Sequence, residues 1–245
     1  MGRIILENLY VSYGNRVVLR GITLSFNKAG FVALVGSNGA GKSTLAKAIA
    51  GVVPFKGSVF DELTGKPPRT GYVWQNPELG FVSGTVWEEV VISYLLKGLS
   101  HERAYVEAKN ILSKFGLWKY HKRSIDELSG GYKQVLAIVT MVTLSPQIII
   151  MDEITSMLDI KERFMVLGYL RRLSKDVLII LITQNPEDLK YADRVIGLHE
   201  GTVAFDGIPD DVWSTEYEKF GLKIPKTYYK TKQWGKPWKP LGLLD

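Results

Sequence analysis

The chain has 245 residues, 46% hydrophobic and 23% charged, a balance that excludes bulk disorder and suits one large or two small globular domains. It contains no cysteine, which excludes disulfides, thiolate metal sites and a cysteine nucleophile. The formal net charge is +6, but residues 223–245 hold six Lys against one acidic residue, so the first 222 residues are nearly neutral.

The first residues carry Arg3 and Glu7 and no apolar leader, so no secretory signal is expected. The longest run near the middle free of charge, Gly and Pro is 134–145, well short of the ~18 apolar residues of a spanning helix. Residues 4–9 and 17–26 cluster or alternate apolar side chains about the turn Gly14-Asn15, which predicts an antiparallel edge pair. Residues 31–35 form a short apolar run that ends in glycines, the pattern of a buried strand. A helix is expected at 44–50, stopping at Gly51. Helical spacing recurs at 85–96, at 101–115 and from Gly131 to about Thr143, with Ser100 placed to start the second of these. Beyond Pro146, strand-like runs at 147–151, 177–183 and 194–198 alternate with helical stretches at 161–173 and near 186–191. The order predicts an α/β fold: a parallel sheet with right-handed crossovers, an antiparallel β edge subdomain and a helical insertion at roughly 78–146.

Gly36-Ser37-Asn38-Gly39-Ala40-Gly41-Lys42-Ser43 fits G-x-x-x-x-G-K-[ST] at every fixed position, between a predicted strand and a predicted helix. Such a loop marks a P-loop NTPase core. Its glycines let backbone N–H groups close around phosphate oxygens, and the helix behind adds its positive end. The residues Ser37 through Ser43 with Thr44 form a candidate ATP cradle: Ser37, Asn38, Gly39, Ala40, Gly41, Lys42, Ser43 and Thr44. In it Lys42 would reach the β- and γ-phosphates and the Ser43 hydroxyl would ligate Mg²⁺. The apolar run Ile148-Ile149-Ile150-Met151 delivers Asp152 and Glu153 at a strand's carboxyl end, where ligands of open α/β sheets bind. Asp152 would hold Mg²⁺ through its water shell, and Glu153 would accept a proton from the attacking water.

Over nearly all of residues 1–222 the chain resembles the ATP-binding cassette ATPases. Leu128-Ser129-Gly130-Gly131-Tyr132 is similar to the family's signature L-S-G-G-Q, and Gln75 falls where the Q-loop glutamine stands. Ser156-Met157-Leu158-Asp159 resembles the D-loop, and Tyr13 matches the adenine-stacking aromatic. The resemblance implies an ATPase domain at 1–222 with 223–245 as a basic aromatic tail, and ATP and Mg²⁺ as ligands. It also implies that Gln75 joins Ser43 and Asp152 around the metal. Ser129, Gly130 and Gly131 would cap the γ-phosphate of a nucleotide held by a second ATPase chain.

Gln75-Asn76-Pro77-Glu78 and Thr85-Val86-Trp87-Glu88-Glu89-Val90 look like the energy-coupling-factor ATPases of vitamin and metal-ion uptake. Thr155-Ser156-Met157-Leu158-Asp159 and Ala192-Asp193-Arg194-Val195-Ile196 point the same way. In that family two ATPases dimerise head to tail and dock on a membrane T-component, which pairs with a substrate-capturing S-component. The docking groove would be the stretch that starts at Glu78 and ends at Leu96, placing the chain peripherally on the cytoplasmic face of the membrane. Two alternatives stand beside it: a regulatory subunit with little turnover, and a soluble cassette ATPase acting on nucleic acid or the ribosome. The latter finds support only in the basic tail, so no nucleic acid is expected.

The chain departs from the family pattern at four places. Gln184 stands where the family places a histidine; Tyr132 replaces the signature glutamine, Ile154 the proline after the acidic pair, and Val135 a signature-helix arginine. Glutamine has no cationic form, so a charge-assisted bond to phosphate becomes an ordinary one. The reading is a heterodimer with unequal sites, this chain being the less conventional half; a homodimer is the other possibility.

Overall fold

Alternating burial builds the first sheet. In β1 (Arg3–Tyr13) the side chains of Ile4, Leu6, Leu9 and Val11 are buried, and β2 (Arg16–Asn27) returns antiparallel about the Gly14-Asn15 turn, as the sequence predicts. Between Leu6 and Leu9 the register shifts and Asn8 takes a φ of 48°, a bulge that returns Leu9 and Val11 to the core face. β4 (Lys56–Asp61) pairs antiparallel on the other side of β1. The computed structural model describes residues 2–225, 227 and 228; the tail aromatics Tyr229, Trp234 and Trp238 lie outside the described residues.

The second sheet has the order β5-β6-β7-β3-β8-β9, formed by β3 (Gly30–Val35), β5 (Thr70–Val73), β6 (Ile148–Asp152), β7 (Leu178–Ile182), β8 (Arg194–His199) and β9 (Thr202–Gly207). All its pairs are parallel except β8 with β9. Side chains alternate across it. Ile149, Met151 and Leu181 face the helices of the insertion, whereas Ile148, Ile150 and Ile180 face the first sheet and α1 (Lys42–Ile49). Three strands extend the predicted set. β5 is implied only by the place of Gln75, β4 buries just Val59 and Asp61, and β9 is an edge strand whose Val203 and Phe205 are only half-buried, so neither forms a long apolar run.

The insertion comprises α2 (Val86–Leu96), α3 (His101–Lys114) and α4 (Gly130–Thr143). Thr85 and Ser100 accept backbone N–H bonds at the starts of α2 and α3, and Asp159 does so for α5 (Ile160–Leu173). The stretch 186–191 is the 3₁₀ turn Pro186–Tyr191 rather than an α-helix. Pro186 opens it and the Asn185 side chain takes the Glu187 N–H, leaving room for two tight turns only. Among the described residues no helix is long and apolar enough to cross a membrane. β3 therefore sits mid-sheet, and the loop after it meets the carboxyl ends of β6 and β7.

Candidate nucleotide site

The P-loop conformation rests on two glycines. Gly39 and Gly41 have φ of 82° and 105°, and a Cβ on Gly41 would stand 2.8 Å from Leu19 Cδ2 on β2. Lys42 opens α1 and is buried, its Nζ donating to the carbonyls of Gly36 at 2.8 Å and Ser37 at 3.1 Å. Burial pulls its pKa below the ordinary lysine value, against the pull of the Glu153 and Asp152 carboxylates. The first turn of α1 carries no acidic residue and no side-chain cap, so its amides and positive end are left for an anion.

Asp152 ends β6 facing this loop. Its Oδ1 accepts from the Ser43 hydroxyl at 3.2 Å and its Oδ2 from the Tyr72 hydroxyl at 2.7 Å. Hydroxyl and carboxylate oxygens are the donors Mg²⁺ takes. Among the described residues no group of three or more His, Cys, Asp or Glu could hold a metal, so a cation here would share its shell with phosphates and water.

The next residue, Glu153, takes a φ of 52°, uncommon for a residue with a side chain. Its backbone N–H donates to Ile182 at the end of β7, at 3.1 Å. Gln184 follows that strand and its Nε2 bridges Asn38 Oδ1 at 2.6 Å and Glu153 Oε1 at 3.0 Å. P-loop, acidic pair and Gln184 thus meet in one place.

Gln75 is held a step away. Its Nε2 donates to Ser156 Oγ at 3.0 Å, and Ser156 in turn donates to the Glu153 carbonyl at 2.8 Å. Gln134 of α4 donates to the Gln75 carbonyl at 2.9 Å, and Lys133 pairs with Glu78. The Q-loop is thereby fastened to the insertion. Ser129 and Gly130 are exposed at the start of α4, and Gly130 and Gly131 face Leu158 and Glu162 rather than this chain's own P-loop. A Cβ on Gly131 would stand 2.7 Å from Glu162 Cβ, so that helix start fits closely on α5. The Tyr132 ring leans edge-on against Tyr120 at 4.8 Å between centroids, with Lys119 over both. Tyr13 lies exposed at the end of β1, on the hairpin whose Val18 and Leu19 border Gly41.

One member of this constellation gives no signal in the sequence. Asp188 is fully buried and accepts from Thr155 Oγ1 at 3.0 Å, Thr183 Oγ1 at 2.6 Å, and Arg163 Nε and Nη2 at 2.8 and 2.7 Å. Thr155 lies two residues past Glu153, and Thr183 one before Gln184. A P-loop packed against an acidic strand end, with a separate helical arm that opens on the exposed Ser129 and Gly130, defines an ATPase of cassette type.

Residues 19–156 match the family model described as ABC transporter, and the chain belongs to that family. It is an ABC-type ATPase. It is 35% identical over 223 residues to the energy-coupling factor transporter ATP-binding protein EcfA1 of Caldanaerobacter subterraneus subsp. tengcongensis, covering 85% of this chain and 80% of that one. It is 36% identical over 237 residues to EcfA1 of Leuconostoc mesenteroides subsp. mesenteroides, covering 90% and 86%. With EcfA of Methanosarcina acetivorans it shares 36% over 221 residues, covering 85% and 81%. Among solved structures, cbiO1 from Clostridium perfringens, described as part of the ABC transporter complex cbiONQ, superposes with a TM-score of 0.80. That pair is 24% identical, covers 94% of this chain and 98% of the other, and shows the shared fold.

Proposed function

We propose that this chain is the ATP-binding and ATP-hydrolysing subunit of an ECF-type importer, driving uptake of a vitamin or metal ion through membrane partners. The observation that carries the reading is the convergence of Lys42, Ser43 and Asn38 with Asp152, Glu153 and Gln184, through the Ser43–Asp152 contact of 3.2 Å and the Gln184 bridge of 2.6 and 3.0 Å.

In this reading the cradle from Ser37 to Thr44 takes the phosphates. Lys42 exchanges its bonds to the loop carbonyls for bonds to phosphate, which offsets its burial. Ser43, Asp152 and Gln75 would hold Mg²⁺, which supplies charge neutralisation on the phosphates when bound. Glu153 accepts a proton from water, and Gln184 orients that water with a neutral N–H. Tyr13 stacks on adenine.

A second ATPase chain completes each site with its Ser129, Gly130 and Gly131, so ATP links the two chains and hydrolysis releases them. The exposure of Ser129 and Gly130, away from their own P-loop, supports that arrangement. The T-component would dock near residues 78–96, where Leu79, Val82 and Leu96 are 77%, 72% and 78% exposed. The S-component is reached only through it. The chain would sit peripherally on the cytoplasmic face, with 1–222 as the ATPase domain and 223–245 as a tail whose Tyr228 ring lies 5.8 Å from Trp213. Gln184 supports a heterodimer with unequal sites. The test is ATPase of the chain alone and with its partner ATPase, each with and without Gln184→His; a lone wild-type chain turning over at the complex's rate sinks the asymmetry.

A further inference from the structure

The carboxylate assigned to the metal has a second tether that the reading above leaves unused. Tyr72 stands on β5, opposite Ile150 of the neighbouring β6, and its hydroxyl crosses to Asp152 Oδ2 at 2.7 Å. This is shorter than the 3.2 Å contact between Ser43 and Asp152 Oδ1. A carboxylate held at one oxygen only can turn about its Cβ–Cγ bond and exchange its two oxygens. Held by Tyr72 at Oδ2, it keeps Oδ1 towards Ser43. The Tyr72 ring is itself fixed. It is half-buried, packed at a 44° tilt against Trp74 with 4.4 Å between centroids, and forms a wall of the cleft lined by Pro77, Phe81 and Met141.

We propose that Tyr72 is a positioning residue for the divalent cation: its hydroxyl fixes the Asp152 carboxylate, so metal-dependent nucleotide binding depends on it. This rests on the reading that Ser43 and Asp152 hold the metal. Outer-shell partners of a ligand act in this way, and removing one typically costs 10–100-fold in metal affinity.

The experiment uses the full chain and a fluorescent, non-hydrolysable ATP analogue, titrated once with Mn²⁺ and once with EDTA. The ratio of the two dissociation constants measures what the metal contributes. In Tyr72→Phe the ratio is expected to shrink by about 10-fold, with the constant in EDTA unchanged. In an Asp152→Asn background the same substitution is expected to change nothing further. An unchanged ratio in Tyr72→Phe overturns the proposal, and so does a parallel loss of binding in Mn²⁺ and EDTA, which marks a fold defect. A wild-type chain that binds the analogue equally with and without Mn²⁺ overturns the metal reading itself, and this inference with it.

Discussion

Gln184 Nε2 lies 3.0 Å from Glu153 Oε1. An ionised carboxylate only accepts hydrogen bonds, so Gln184 must present its NH₂ group there. Its second N–H is then the donor to Asn38 Oδ1 at 2.6 Å, and the orientation of both amides follows. The side chain that replaces the family's histidine thus joins the acidic strand end to the P-loop.

Replacing Gln184 by histidine restores a group that can carry charge against phosphate. Steady-state ATPase of the assembled complex is expected to rise by up to about 10-fold in kcat in Gln184→His, with little change in KM. Gln184→Ala removes the donor and is expected to lower kcat by about 10-fold. Equal rates in all three forms would show that Gln184 takes no part in turnover.

Asp188, itself fully buried, gathers Thr155, Thr183 and the partly exposed Arg163. Removing the carboxylate in Asp188→Ala leaves a guanidinium without its partner, an effect of about 3–5 kcal/mol. Urea unfolding is expected to show a loss of that size. A loss under 1 kcal/mol would mean that the guanidinium finds water instead.

Gly131 leaves no space for a Cβ against Glu162, at 2.7 Å. Gly131→Ala is expected to destabilise the chain by about 1–3 kcal/mol through overpacking. It should also abolish ATP-dependent association with a second ATPase chain, read by sedimentation, because α4 must shift.

Asp61 accepts from Lys28, from Gln147 at 2.6 Å and from the Leu63 N–H at 2.9 Å, and the Lys28 bond leads in holding its pKa below the ordinary aspartate value. A depressed folded-state pKa contributes stability above the unfolded value that is lost as pH falls through the folded one. Wild-type stability in urea should therefore fall below about pH 4. Asp61→Asn should be less stable at pH 7 and show a shallower fall on acidification.

What the sequence made legible was local. The P-loop, the strand ending in Asp152 and the helix start at Ser100 each state their geometry within a few residues. The bulge at Asn8, the edge strand β9 and the Asp188 hub do not. Asp188 falls in the stretch near 186–191 that is expected to be helical, where nothing in the sequence marks it as buried, and only the packing of α5 against that turn brings Arg163 to it. Tyr72 likewise reads as an ordinary strand aromatic until β5 is paired with β6. The tail from residue 229 onward lies outside the described residues, and its Lys and Trp content is known from sequence alone.

The central claim is that this chain's own P-loop and Glu153 hydrolyse ATP in a complex with a second cassette and a multi-span membrane protein. Its most direct test is Mg²⁺-dependent ATPase of that reconstituted complex carrying wild-type, Lys42→Ala or Glu153→Gln chain. The account predicts stable assembly of all three, with turnover reduced by about 10²-fold or more in both variants. Undiminished turnover in the variants, or a wild-type chain that does not join the complex, would contradict it.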